Sequence, residues 1–142
     1  MAAAKLKLKK NIIGIVPAAE NAVSDRAMRA GDILTSLSGK TIEVVRTDAE
    51  GRLVLADALT YAAKFNPKVV LDAATLTGAS LVALGQHASA IMTKNEKLRQ
   101  TLETLGEESG DYVWPLPLWD EYKEYIKSVL SLIHISEPTR PY

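Results

Sequence analysis

The stretch Arg46-Thr47-Asp48-Ala49-Glu50-Gly51-Arg52-Leu53-Val54-Leu55-Ala56-Asp57-Ala58-Leu59 decides how this chain is read. Its first half places two carboxylates and a guanidinium on alternate residues, Asp48, Glu50 and Arg52, in a loop that opens a helix. Two acids held that close repel unless a cation sits between them. An arginine beside them is no metal ligand, but its planar fork suits an oxyanion or carboxylate. The loop therefore reads as half of a divalent metal site with an anion clamp attached. A solvated acidic turn has the same composition, and a bare Asp-x-Glu does not separate the two.

Working outward, the second half of the stretch predicts a helix over Arg52–Phe65. Leu53, Ala56, Leu59 and Ala62 or Ala63 fall on one face at three-to-four spacing, and Asn66-Pro67 stops it. Upstream, Gly31-Asp32 leads into Ile33–Ser36, and Ser38-Gly39-Lys40 turns the chain into Thr41–Val45, a small hairpin. The β-branched run Asn11–Val16, closed by Pro17, predicts a buried strand, and Val69–Ala74 predicts another. Thr77-Gly78 begins a small-residue helix to about Leu84. Ala88–Thr93 is expected as a strand, Asn95 as the cap of a helix to about Leu105, and Asp120–Ser128 as a further helix. Strands alternating with helices predict an α/β class, a layered α/β/α arrangement with a mixed, partly parallel sheet.

Other chemistries are excluded one by one. An EF-hand counted from Asp48 has Leu53 where glycine belongs and Leu59 where glutamate belongs. No glycine-rich stretch ends in Gly-Lys-Ser or Gly-Lys-Thr, and there is no G-x-S-x-G elbow. The chain has no cysteine, so a thiol nucleophile and a disulfide framework are both excluded, which fits a reducing compartment. Seventeen basic residues balance seventeen acidic ones over 142 residues, giving no global pull toward nucleic acid. No apolar run approaches the roughly 18 residues of a membrane span.

Several motifs in fixed order carry a resemblance. Thr47-Asp48-Ala49-Glu50-Gly51-Arg52-Leu53 closely resembles the signature of the leucyl aminopeptidase (cytosolic aminopeptidase) family, peptidase family M17, with Arg46 where the family usually has asparagine. Pro17-Ala18-Ala19-Glu20-Asn21 and Gly31-Asp32-Ile33-Leu34-Thr35 precede it as in the family. Asp72-Ala73-Ala74-Thr75-Leu76-Thr77-Gly78-Ala79, then Trp114-Pro115-Leu116-Pro117-Leu118 and Tyr122, follow it. The resemblance runs from about residue 5 to Ser128.

It implies a hydrolase that releases N-terminal amino acids, leucine preferred, from peptide substrates. The implied cofactors are two divalent ions, manganese or zinc with magnesium a further option, sharing a bridging water. Asp48 resembles the ligand that uses its carboxylate and backbone carbonyl, and Glu50 the carboxylate that bridges both ions. Arg52 resembles the catalytic residue that holds a bicarbonate ion. Thr75, Leu76 and Gly78 resemble the substrate-binding loop. A cytoplasmic homo-hexamer with no membrane and no nucleic-acid partner is implied as well.

The family's remaining ligands lie in lysine- and aspartate-bearing segments that this sequence does not contain. The resemblance thus implies about half of a ligand shell, and a chain that is no competent peptidase by itself. A non-catalytic paralogue or assembly subunit that has lost the metal site is the alternative, with Arg46 weakly in its favour; a free-standing metal-binding module is a third reading.

The run Leu130–Arg140 resembles the direct translation of a transposase-based sequencing-library adapter. Residues 1–129 are accordingly read as a partial M17 catalytic domain, and 130–142 as an artefactual tail set apart from fold reasoning. Among other residues, Asp72 is expected as a cap or as an acid behind the substrate-like loop, and Asp57 in a structural ion pair. His87 reads as a surface histidine, Lys5, Lys7, Lys9 and Lys10 as a solvated edge, and Trp114 and Trp119 as core or subunit packing.

Overall fold

The computed structural model describes residues 2–128 and the backbone of residues 133–135. Its elements follow the expected alternation in part. A one-turn helix α1 (Ala2–Lys5) is followed by irregular chain up to β1 (Ile33–Thr35) and β2 (Thr41–Val44). Helix α2 (Gly51–Ala62) continues as a 3-10 turn over Ala63–Phe65. Then come α3 (Gly78–Leu84), β3 (Ser89–Ile91), α4 (Glu96–Ser109), β4 (Val113–Pro115), a 3-10 segment over Asp120–Ile126, and β5 (Ile133–Ile135).

The hairpin forms where the sequence puts it. β1 and β2 pair antiparallel with Leu34 opposite Ile42. Gly39, at a φ of 80°, supplies the left-handed residue of the turn. Ser36 closes that turn: its amide donates to the Lys40 carbonyl at 2.9 Å, and its carbonyl accepts from Gly39 at 2.8 Å. β5 lies parallel to β2 on the other side, with Glu43 opposite His134, so this sheet is mixed, in the order β1-β2-β5. β5 falls inside the 130–142 segment that the sequence reading sets apart; residues 129–132 and 136–142 lie outside the described residues.

A second sheet holds β3 and β4 in parallel, Ala90 opposite Trp114. Parallel neighbours need a long crossover, and α4 provides it. Asn95 starts α4 as expected, its side-chain oxygen accepting from the Leu98 amide at 3.0 Å. The helix outruns its expected end at Leu105 and stops at Gly110, which takes the left-handed φ of 77°. Along its surface Arg99 bridges Glu96 and Glu103, and the hydrogen bond from Arg99 holds the Glu96 carboxyl below the usual carboxylate range. Such exposed pairs add little stability.

The class is thus α/β with parallel pairing, distributed over two small sheets. Several expectations change. Asn11–Val16 and Val69–Ala74 form no strand: neither finds a ladder partner among the described residues, and Val16 and Leu71 stand 88% and 65% exposed. An apolar β-branched run is a strand only when a neighbouring edge takes up its backbone groups. Conversely, Val113–Pro115, where no strand was expected, pairs with β3. Proline is tolerated there because it closes a short edge strand, after which the Leu116 amide donates to the Ile91 carbonyl at 2.9 Å. Asp120–Ile126 winds as a 3-10 segment in place of an α-helix. Trp114 and Trp119 are exposed rather than core residues within this chain, and Trp119 stacks on Tyr122 at 5.9 Å between ring centroids.

The buried core is small and lies between β2 and the start of α2. Ile42, Val44 and Ala49 are its fully buried apolar residues among those described, and Leu53 packs against Ile42 and Ala49. Strand alternation explains half of this: Ile42 and Val44 point inward while Thr41 and Glu43 stay half-exposed.

Candidate active site

β2 ends at Val44, and the chain turns at once through Thr47–Ala49 into α2. Loops beyond the ends of strands are where α/β folds carry their sites. Ala49 is 5% exposed and seated against Ile42, whereas Asp48 and Glu50 on either side are exposed. The buried methyl is the pivot of the turn. With Ala49 inward, both flanking acids are exposed, which spares them the cost of burial. The Arg46 carbonyl accepts from the Ala49 amide at 3.3 Å, and the Glu50 carbonyl accepts from Leu53 at 2.9 Å, so the turn passes into α2 without a side-chain cap. Arg52, in the first turn of α2, is half-buried, with its Nε shielded from solvent.

The second expected segment comes to the same place. A Cβ built on Gly51 would lie 3.6 Å from Leu76 Cδ1, so the Asp48–Arg52 turn and the Thr75–Gly78 loop are in van der Waals reach. Thr77 shapes that loop by capping α3: its hydroxyl accepts from the Ala79 amide at 3.1 Å, and its carbonyl accepts from Ser80 Oγ at 2.9 Å. Thr75 and Leu76 are exposed ahead of the cap, and Gly78 opens the helix with open space around its Cα. Leu76 thus stands beside the two carboxylates' turn, and Thr75 precedes it.

Other singled-out residues lie apart. Asp72 is exposed in the irregular segment before Thr75, and His87 is exposed in the bend after α3. Among the described residues Asp57 forms no ion pair of the kind expected from the sequence; its Oδ1 accepts the backbone N–H of Leu37 at 2.8 Å. Nothing in the sequence pointed to Ala49 as the pivot or to Gly51 as the point of contact. A small residue between two acids, and a glycine just inside a helix, are the signals that could have.

For a divalent ion the donor chemistry fits as far as it goes: two carboxylates are hard oxygen ligands suited to magnesium or manganese and acceptable to zinc. The number falls short, since among the described residues no three His, Asp or Glu side chains gather as a metal cage. No helix of the described residues is long and apolar enough to cross a membrane.

Comparison with known proteins identifies the family. The profile of the cytosol aminopeptidase family, catalytic domain, matches residues 1–139. A probable cytosol aminopeptidase of Syntrophotalea carbinolica is 56% identical over 130 residues, covering 92% of this chain and 26% of that protein. A probable cytosol aminopeptidase of Shewanella loihica is 52% identical over 128 residues, with 90% and 26% covered. Among solved structures, a mutant tomato leucine aminopeptidase superposes with a TM-score of 0.82 at 45% identity, covering 85% of this chain and 24% of that one. The chain spans about a quarter of the length of the relatives it matches. With the profile running over nearly all of its residues, the chain belongs to the cytosol aminopeptidase family, a family of peptide-cleaving hydrolases, and is part of its catalytic domain.

Proposed function

We propose that residues 1–129 are the carboxylate-bearing part of a two-metal leucyl aminopeptidase site, whose other ligands come from outside these 142 residues. The observation that carries this reading is the turn itself: Asp48 and Glu50 exposed on either side of the buried Ala49, with Leu76 against Gly51. In this reading Asp48 and Glu50 are the metal ligands, with Glu50 placed to serve two ions. Arg52 holds a bicarbonate close to the reacting centre by its fork of donors. Thr75, Leu76 and Gly78 hold the peptide's N-terminal residue. Divalent ions bound there would acidify a bridging water and polarise the scissile carbonyl. Leucine preference and a cytoplasmic setting belong to the same reading, supported by the names of the relatives; a homo-hexameric assembly belongs to it through the order of motifs alone. Residues 130–142 are left out of it.

The test is a chimera in which residues 1–128 replace the matching segment of the Syntrophotalea carbinolica protein. Hydrolysis of leucyl peptides that disappears with chelation and returns with manganese is the expected result. A folded chimera that binds no metal, while the unmodified host does, would overturn the reading and favour a scaffold that has lost its site.

The 142-residue chain alone is expected to behave differently. Two carboxylates bind a divalent ion weakly, and large apolar side chains such as Val82, Trp119 and Tyr125 are more than 60% exposed. Exposed apolar surface and unpaired strand edges drive association. The expected outcome is no leucyl-peptide hydrolysis, light scattering from aggregates, and no sharp thermal transition by circular dichroism. A monomer with a cooperative melt would contradict it.

A further inference from the structure

Helix α2 is fastened to the β1–β2 hairpin at two places. The first is the packing of Ala49 and Leu53 on Ile42. The second is the hydrogen bond from the Leu37 amide to Asp57 Oδ1, at 2.8 Å across 20 positions of sequence. Leu37 sits at the tip of the hairpin, beyond the last ladder pair of Thr35 with Thr41. Ser36 and Gly39 take up the turn's own bonds, and the Leu37 N–H is a donor that the strands themselves do not use. An ionised carboxylate is a strong acceptor for such a group. Along α2, Leu53 and Asp57 are about one helical turn apart, with Ala49 about one further turn back.

A helix held at one point can tilt about it; held at two, its axis is fixed. The consequence falls on the turn. With Ala49 as pivot, the Glu50 carboxylate reaches about 4–5 Å from its own Cα, so a tilt of about 10° would carry it nearly 1 Å. Metal–ligand distances tolerate about 0.2 Å. We propose that Asp57 is a positioning residue: by accepting the Leu37 amide it fixes the axis of α2, and so sets the aim of Glu50 and Arg52. The proposal rests on the metal-site reading above. It also accounts for an exposed aspartate in the middle of a helix with no basic partner among the described residues.

The test uses the chimera and reads manganese affinity by calorimetry, with exchange of the Leu37 amide in parallel. Asp57→Leu removes the acceptor; Asp57→Asn keeps an acceptor oxygen of the same reach. Losses on removing a group that supports a ligand run about 10- to 100-fold in metal affinity, and Asp57→Leu is expected in that range with faster Leu37 exchange. Asp57→Asn should stay within about threefold of the unsubstituted chimera, well short of that range. If Asp57→Leu does not fold, Asp57→Ser, too short to reach Leu37, takes its place in the comparison. A folded Asp57→Leu or Asp57→Ser chimera with unchanged manganese affinity would reduce Asp57 to a stabilising contact and overturn the proposal. So would an Asp57→Asn chimera that loses as much as Asp57→Leu, because charge and not the amide bond would then be the cause. Absence of manganese binding in the unsubstituted chimera, with binding in the host, would instead bring down the metal-site reading itself.

Discussion

Replacing Glu50 with alanine in the chimera is expected to lower leucyl-peptide hydrolysis by at least about 100-fold, a larger loss than any substitution away from the turn. Groups that merely support metal ligands cost 10- to 100-fold when removed, and a carboxylate proposed as a ligand itself should cost more. The effect should separate cleanly from folding. Glu50 is exposed, its side chain covers none of the small core, and the turn is held by the neighbouring Ala49 on Ile42. Only the Glu50 backbone carbonyl takes part in the start of α2, accepting from Leu53 and Val54 at 2.9 and 3.3 Å, and alanine keeps that carbonyl. The melting temperature without added metal should therefore be nearly unchanged. Glu50→Gln, isosteric but uncharged, should fail almost as badly, since a neutral amide does not offset the charge of two divalent ions. Retention of more than about a tenth of the activity in Glu50→Ala would remove this residue from the metal site.

The turn was legible in the sequence because its chemistry is local. Alternating Asp48, Glu50 and Arg52 need only the start of a helix to be presented together, and α2 begins at Gly51, one residue from the expected start. The hairpin was equally local: a glycine turn with apolar residues on both sides leaves one register, and Leu34 opposite Ile42 is that register. What failed was whatever depended on partners. The Asn11–Val16 and Val69–Ala74 runs have the composition of buried strands but meet no neighbouring edge among the described residues. β-propensity reports fit to a sheet rather than an intrinsic backbone preference, so without the sheet it predicts nothing. Val113–Pro115 is the converse case, a strand created by the approach of β3 despite its proline. The proximity of Leu76 to Gly51 and the bond from Leu37 to Asp57 span 25 and 20 positions, and no local pattern encodes either. The order of motifs led to the family and to an incomplete ligand shell, and among the described residues no three His, Asp or Glu side chains gather as a metal cage.

Gly106→Ala should be the most damaging conservative change outside the turn. On an exposed helix the substitution would stabilise by up to about 1 kcal/mol, because alanine is the better helix former. Gly106 is buried in α4, and the added Cβ would meet the Asp111 carbonyl oxygen at 2.9 Å and the Val113 amide nitrogen at 3.2 Å. Both are backbone atoms of the segment that returns to form β4, so no side-chain rotation can relieve the contact. Val113 is the first residue of β4 and pairs with Ser89, which means that relief requires moving either α4 or the parallel strand pair. Overpacking of this kind costs about 1–3 kcal/mol, enough to outweigh the gain in propensity. The expected result is an apparent melting temperature lowered by several degrees in the chimera, against no measurable change for Lys97→Ala on the exposed face of the same helix. Because Gly106 lies in the β3-α4-β4 unit and not in the β2-turn-α2 unit, manganese affinity at low temperature should stay within about twofold of the unsubstituted protein, well inside the range seen for ligand-supporting groups. A Gly106→Ala protein that melts higher than the unsubstituted one would mean that α4 can withdraw from β4 at little cost, and that the close approach of helix and strand is not what holds this crossover in place.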